Sequence, residues 1–353
     1  MDQPRGDRHL RFQIRRLPPR RLRPASAHPR TGRGVSVILG GDLGGTKTLL
    51  ALADVVDGRP RIVRSRRYAS ADFAGRDGFG AVLGDFLDGA PPLTAAAFGV
   101  AGPTDGKTAQ LTYLPWQLDA GELARRFGLG RVTLLNDFAA AAHGLAAINA
   151  GDLHSLHAGQ PQAQAPKVII GAGTGLGVAG LLHDANGDRV IAGEGGHLGF
   201  APQTPEQGEL WRSLLAAHGR VTTEDVVSGP GLVRIFAHFS GLPQQSLANL
   251  PSPAEIAARA IDGSSPEAAA TLQLWLSCYG AFAGDLALHW LTRGGVFLAG
   301  GILAKLLPAI DPTPLVEAFL AKREHAALAQ TMPLHVVTAE DLGLRGALVC
   351  AAR

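Results

Sequence analysis

The stretch Gly40 to Leu52, GGDLGGTKTLLAL, decides how this chain is read. An aliphatic run leads into it, closely spaced glycines with Thr46 form its centre, and a second apolar run leaves it. A later stretch, Val168 to Leu182, VIIGAGTGLGVAGLL, repeats the design. Glycine tolerates positive φ and lets backbone N–H groups approach a ligand, so a turn of this kind between two antiparallel strands makes a cradle for phosphate oxygens. Either turn alone reads equally well as an ordinary hairpin turn in a glycine-rich protein. The pair, far apart in the chain and so expected on separate lobes, points to a polyphosphate held from two sides.

Two other glycine loops do not fit. A Walker A loop has Gly-Lys-Ser/Thr in direct succession, whereas Thr46 separates Gly45 from Lys47. The dinucleotide fingerprint G-x-G-x-x-G requires glycine where this chain has Leu176, and a helix after it. The chain runs instead through Val178 to Leu182, Asn186-Gly187 and Val190-Ile191, the pattern of a strand hairpin with a tight turn.

Working outward, the 353 residues are enough for about two domains with a sizeable core. An apolar fraction of 46% with 18% charged residues describes a soluble globular chain, and no apolar run approaches the roughly 18 residues of a membrane span. Cys278 and Cys350 are the only cysteines, which indicates a reducing, cytoplasmic setting and supplies no zinc spacing. The net charge of +3 hides an asymmetry: Met1 to Gly34 holds ten Arg and two Asp, or +8, so Val35 to Arg353 carries −5. Pro18-Pro19, Pro24 and Pro29 prevent a long helix there, and the apolar stretch of a secretory signal is missing. Residues 1–34 read as a disordered extension or an upstream start unused in the cell. A nucleic-acid arm or a transit peptide is the competing reading.

From Val35 the pattern becomes regular. Strands are expected at Ser36 to Leu39, Thr48 to Val55 and Arg61 to Tyr68, with Asp57-Gly58 as a turn. A helix is expected over Phe73 to Leu87, a buried strand over Ala95 to Gly102, a helix over Ala120 to Phe127, a strand over Val132 to Leu135 and a helix over Phe138 to Ile148. Beyond Asn149 come the strand Lys167 to Ile170 and the second glycine hairpin. Helices are then expected at Pro205 to Ala217, Gly231 to Phe239, Pro253 to Ile261 and Pro266 to Thr292. A strand at Val296 to Leu298 feeds Gly300-Gly301, where a helix N-terminus could face a nucleotide. Leu334 to Val337 is the last strand and Leu342 to Ala352 the last helix, expected to return to the first domain. The pattern is α/β with mixed sheets. The expected domains are a small one at 35–148 plus 341–353 and a larger, more helical one at 149–340.

Asp137 stands where a strand ends and a helix begins, the edge at which α/β sheets present catalytic groups. A helix N-cap is its structural alternative. Asn136 beside it, with Glu194, His197 and Glu224 among glycines, supplies carboxylates, an amide and an imidazole. That set suits a ligand with several hydroxyls, such as a sugar. A loop histidine bonded to backbone is the competing reading of His197.

The chain from about Ser36 to Arg353 resembles the bacterial glucokinases, ATP-dependent hexokinases of the actin-like (ribonuclease H-like) fold with a cleft between two domains. The resemblance lies in GDLGGT at Gly41 to Thr46, LPW at Leu114 to Trp116, LLNDFAA at Leu134 to Ala140, GAGTGLGV at Gly171 to Val178, GEGGHLGFAP at Gly193 to Pro202, EDVVSGPGL at Glu224 to Leu232 and FLAGGI at Phe297 to Ile302. It implies phosphorylation of glucose at its 6-hydroxyl, with Asp137 as the base and Asn136, Glu194, His197 and Glu224 holding the other hydroxyls. It further implies that Gly41, Asp42, Leu43, Gly44, Gly45 and Thr46, with Gly173, Thr174 and Gly175, grip the ATP phosphates. Asp42 then lies near Mg²⁺, through water, and Gly300-Gly301 near the adenosine. A homodimer in the cytoplasm, with neither membrane nor nucleic-acid partner, is the expected setting. One position departs: Lys47 replaces the Asn usual after GGT and matches the related ROK sugar kinases instead. Those carry a cysteine-rich zinc motif after the Gly-His pair, and Leu198 to Leu210 contains no cysteine. A ROK-like hexokinase of broader specificity and a non-catalytic sugar sensor are the alternatives.

Overall fold

The computed structural model describes residues 36–353 except 74, 76, 186, 245, 246 and 248. The arginine-rich extension at 1–34 and Asn186 of the expected tight turn lie outside the described residues. In chain order, β1 (Val37–Leu43), β2 (Lys47–Val56) and β3 (Arg59–Ala69) form an antiparallel meander, and α1 (Gly78–Leu87) leads to β4 (Leu93–Val100). A small ribbon of β5 (Thr108–Gln110) and β6 (Gln117–Asp119) precedes α2 (Ala120–Phe127), β7 (Leu129–Asn136) and α3 (Asp137–Gly144). The sheet order is β3-β2-β1-β4-β7, with β1, β4 and β7 parallel.

The second half opens with β8 (Leu153–His157), then β9 (Lys167–Ala172), β10 (Leu176–Asp184) and β11 (Gly187–Gly193). Four helices come next: α4 (Pro205–His218), α5 (Gly229–Phe239), α6 (Pro253–Ile261) and α7 (Pro266–Trp290). The chain ends with β12 (Gly295–Ala299), α8 (Gly301–Leu306), α9 (Thr313–Leu320), α10 (Ala326–Ala329), β13 (Leu334–Val337) and α11 (Leu342–Ala352). Its sheet order, β11-β10-β9-β12-β13-β8, repeats the first sheet strand for strand and adds β8 antiparallel at the edge. Each glycine turn therefore occupies the same place, the β1–β2 hairpin of the first sheet and the matching β9–β10 hairpin of the second. This doubled unit is the actin-like (ribonuclease H-like) fold.

Local chemistry explains the elements that the sequence pattern locates well. Asp57 and Gly58 both take positive φ, 50° and 73°, as the tight β2–β3 turn requires. The Asp119 side chain caps α2 by accepting from the Glu122 N–H, and Gly128 ends that helix in the left-handed region. Helix α1 starts at Gly78 rather than Phe73, and the Phe73 carbonyl accepts from the buried Trp116 indole at 2.9 Å. Helix α3 ends at Gly144 and tightens into a 3₁₀ turn over Leu145–Ala147, short of the expected Ile148.

Buried clusters against both sheets hold the structure. In the second sheet, α7 presents Trp275 and Tyr279, both fully buried. The Trp275 indole donates to the Ser228 carbonyl at 3.2 Å, and the Tyr279 hydroxyl donates to the Ile170 carbonyl at 3.1 Å. Both polar tips are satisfied, so the rings contribute their full apolar burial. On the first sheet, α11 lays Leu344, Ala347, Leu348 and Ala351 against Ile38, Ala51, Ala53, Ala95 and Ala97. Leu348 lies 2.6 Å from where a Cβ on Gly40 would stand, so this close approach requires the glycine. The last helix thus does return to the first sheet. Among the described residues no helix is long and apolar enough to cross a membrane.

Candidate active site

Strand β7 delivers the chain to Asn136, and α3 begins at the next residue. Asn136, not Asp137, is the cap: its Oδ1 accepts from the Phe138 N–H at 2.9 Å and the Ala139 N–H at 3.3 Å. This corrects the capping alternative for Asp137, whose carboxylate accepts from the Phe138 N–H at 2.9 Å, a donor it shares with Asn136. Among the described residues the Asn136 amide nitrogen has no hydrogen-bond partner, so it can donate. Burial pushes the Asp137 carboxyl up to about 6, the Phe138 N–H opposes the shift, and the charges of Asp42 and Glu194 add to it. A base ionised at neutral pH yet close to its proton affinity there is well matched to accepting a hydroxyl proton.

Asp137 faces a cleft of about 590 Å³ that it shares with Asp42 and Lys47 from the first sheet and with Gly300, Gly301 and Lys305 from the second. The Asp42 carboxyl is likewise held above its ordinary range, mainly by burial, with Lys47 opposing and Asp341 reinforcing. Among the described residues Asp42 has no ion-pair partner within 4.0 Å, so its carboxylate is available to a cation. The rest of the first turn divides by role. Gly41 packs under the Phe98 ring and Leu43 is fully buried, so both serve the core. The Gly44 N–H closes the turn on the Lys47 carbonyl at 2.9 Å, Tyr113 lies over Gly45, and Thr46 is exposed. Of this turn only Asp42 and Lys47 line the cleft, and the Gly44 and Thr46 carbonyls accept from the Ser70 hydroxyl at 2.8 Å and the Ser70 N–H at 3.1 Å.

The second turn is tied to the same base. The Phe138 ring lies against Gly171 and Gly177, leaving no room for a side chain at either. Asp137 is thereby set by the strands that carry Gly173, Thr174 and Gly175. The turn is held by Gly173 N–H to Gly175 O, Gly229 N–H to Gly173 O, and Leu176 N–H to the Glu224 carboxylate, each 2.8 Å. It opens not into the 590 Å³ cleft but into an adjoining cavity of about 570 Å³, lined with Pro230, Leu232, Pro253, Ala257, Ile261 and Ile302. The two cavities share Gly301 and Lys305. Gly300, at φ 90°, passes so close to the Ala172 carbonyl that a side chain would overlap it. The helix after it, α8, has six residues. The apolar cavity was not legible in the sequence, because its α5 and α6 residues look like any helix core face.

Glu194, His197 and Glu224 gather around the start of β10. Gly195–His197 is a 3₁₀ turn, closed by His197 N–H to Glu194 O at 3.0 Å. The Glu224 N–H donates to Gly196 O at 2.9 Å, which brings the two loops together. Glu194 and His197 are exposed, whereas Glu224 is half-buried and commits one oxygen to the Leu176 N–H. Glu194 acts electrostatically on Asp137. Asn136, Glu194, His197 and Glu224 do not line the 590 Å³ cleft itself. A hollow of similar size on the β5–β6 ribbon, about 600 Å³, contains none of these residues.

Comparison with known proteins identifies the family and the fold. The sequence profile of the Glucokinase family matches residues 39–353. The glucokinase of Nostoc punctiforme is 36% identical over 343 residues, covering 90% of this chain and 100% of that protein. A glucokinase structure from an Antarctic psychrotroph superposes with a TM-score of 0.79 at 29% identity, over 90% of this chain and 98% of that one. The glucokinase of Balamuthia mandrillaris, solved in complex with glucose, shares the fold with a TM-score of 0.73 at 24% identity, covering 91% of this chain and 94% of that one.

Proposed function

The chain belongs to the glucokinase family, and from that premise we propose that it transfers the γ-phosphoryl group of ATP to the 6-hydroxyl of glucose with Asp137 as the base. The observation that carries the reading is the Asp137 carboxylate, raised to about 6 and facing a cleft bordered by Asp42, Lys47 and Gly300-Gly301. Phosphoryl transfer passes through a loose transition state, so its catalysis is mostly positioning and charge neutralisation. Asp137 accepts the hydroxyl proton as the oxygen bonds to phosphorus. The Asn136 amide, Glu194, His197 and Glu224 hold the remaining hydroxyls. The backbone of residues 44–46 and of Gly173, Thr174 and Gly175 receives phosphate oxygens, and the apolar cavity beside Gly301 receives the adenine. Two domains, 35–148 plus 341–353 and 149–340, close over the sugar and exclude water that would otherwise take the phosphoryl group.

Asp42 is the residue that would hold Mg²⁺, through water. In phosphoryl-transfer sites this ion takes one or two carboxylates and completes its shell with water and substrate phosphates. A half-buried carboxylate without an ion-pair partner, in the cleft of Asp137, fits that donor set. The absence of a larger cluster of metal-ligating side chains among the described residues is consistent with it. When bound, the ion neutralises charge on the phosphates. We place the enzyme in the cytoplasm as a homodimer, without a membrane or nucleic-acid partner.

A coupled ADP-release assay across a sugar panel tests the proposal. Turnover with glucose is expected, with slow release in its absence, and ADP release independent of any sugar would identify an ATPase instead. Lys47, lining the cleft as GGTK, favours a second reading of broader hexose specificity. Comparable kcat/KM for mannose or glucosamine in the same panel would support that reading.

A further inference from the structure

We propose that Lys305 is the cation that grips the nucleotide's phosphates between the apolar cavity and the cleft of Asp137. The inference rests on the ATP-kinase reading above and deepens it. A nucleotide whose base sits in the apolar cavity and whose terminal phosphate reaches Asp137 must pass from one cavity into the other. Among the described residues only Gly301 and Lys305 line both. Gly301 offers backbone alone, so the ionic group at the crossing is the Lys305 ammonium.

Three further observations fix on this side chain. Among the described residues Lys305 is the one charged residue lining the apolar cavity. Its Nζ lies 3.9 Å from where a Cβ on Gly301 would stand, which places the ammonium over the glycine turn at the shared border. Of the other cations of the cleft, Arg67 pairs with Glu340 at 3.4 Å, and Lys47 lines the cleft alone and not the shared border. Lys305 is exposed, and among the described residues no ion pair or hydrogen bond occupies it. A di- or triphosphate supplies the anionic oxygens that such a group binds by charge-assisted hydrogen bonds.

Isothermal titration of the full chain with adenosine, ADP and ATP tests the assignment, using the wild type, Lys305→Met and Lys305→Arg. Lys305→Met is expected to weaken ADP and ATP by about ten- to hundredfold, to leave adenosine and glucose binding within about twofold, and to be largely rescued by Lys305→Arg. An equal loss for adenosine and ADP would assign Lys305 to the cavity wall and overturn the proposal. So would unchanged ADP affinity in Lys305→Met. Because binding is read separately from turnover, a wild type that binds ADP but leaves glucose unphosphorylated would refute the kinase reading and not this one.

Discussion

Replacing Asp137 with Asn makes the chemistry and the stability of this protein move in opposite directions. Asn keeps the shape of the side chain and removes its ionisation. Burial lifts the carboxyl from 3.8 to about 6, and at 1.36 kcal/mol per pH unit the charged form is destabilised in the folded protein by about 3 kcal/mol. The unfolded chain gives up this proton near its ordinary value, whereas the folded one keeps it up to about 6. Folding is therefore unpenalised below about pH 4, loses stability as the pH rises from there to about 6, and carries the whole penalty above. Asp137→Asn escapes it. Urea unfolding should show the variant gaining on the wild type from near zero at pH 4 to about 3 kcal/mol at pH 7.5. At pH 7.5 the kcat of the variant should lie about a hundred- to ten-thousandfold below that of the wild type, and the wild-type kcat/KM should have an acid limb near 6. A stability difference that does not vary with pH, or an Asn variant with near-normal turnover, would refute the reasoning.

Other positions separate packing from chemistry. Gly177→Ala drives a methyl into the Phe138 ring; urea unfolding should show a loss of about 1–3 kcal/mol, with kcat reduced because Asp137 shifts with the ring. Asn136→Ala removes the α3 cap at a cost of about 1 kcal/mol and should raise the KM for glucose more than that for ATP in steady-state assays. Leu348→Ala opens a cavity between α11 and Gly40; unfolding should show a loss of about 2–5 kcal/mol, with both KM values unchanged below the melting range.

Legibility in the sequence depends on how strongly each feature constrains the chain. The two glycine hairpins were legible because close packing demands glycine at Gly41, Gly171, Gly175 and Gly177, in and beside the turns, and Asp57-Gly58 because that turn demands positive φ. Helices α2, α6 and α11 match their expected bounds, since apolar spacing sets all three and Asp119, Gly128 and the Ser252 capping box end or begin two of them. Strands β5, β6 and β8, at three to five residues, are too short to show alternation, and α10 has four residues. Helix α9, opening at Thr313-Pro314, also went unanticipated. At the site, Asp137 could be picked out by its place at a strand end, but its relief from capping duty could not: that depends on which way the Asn136 amide turns. The apolar cavity and the role of Lys305 depend on α5, α6 and α8 converging from distant parts of the chain, which no local pattern records.

The central claim is that one reaction space joins the two glycine turns to Asp137. A crystal structure with glucose and a non-hydrolysable ATP analogue measures this directly. The account predicts the sugar 6-oxygen within about 2.6–3.2 Å of the Asp137 carboxylate, the γ-phosphate beside it, and the adenine against α6. Adenine seated in the β5–β6 hollow, or glucose with its 6-hydroxyl turned away from Asp137, would contradict it.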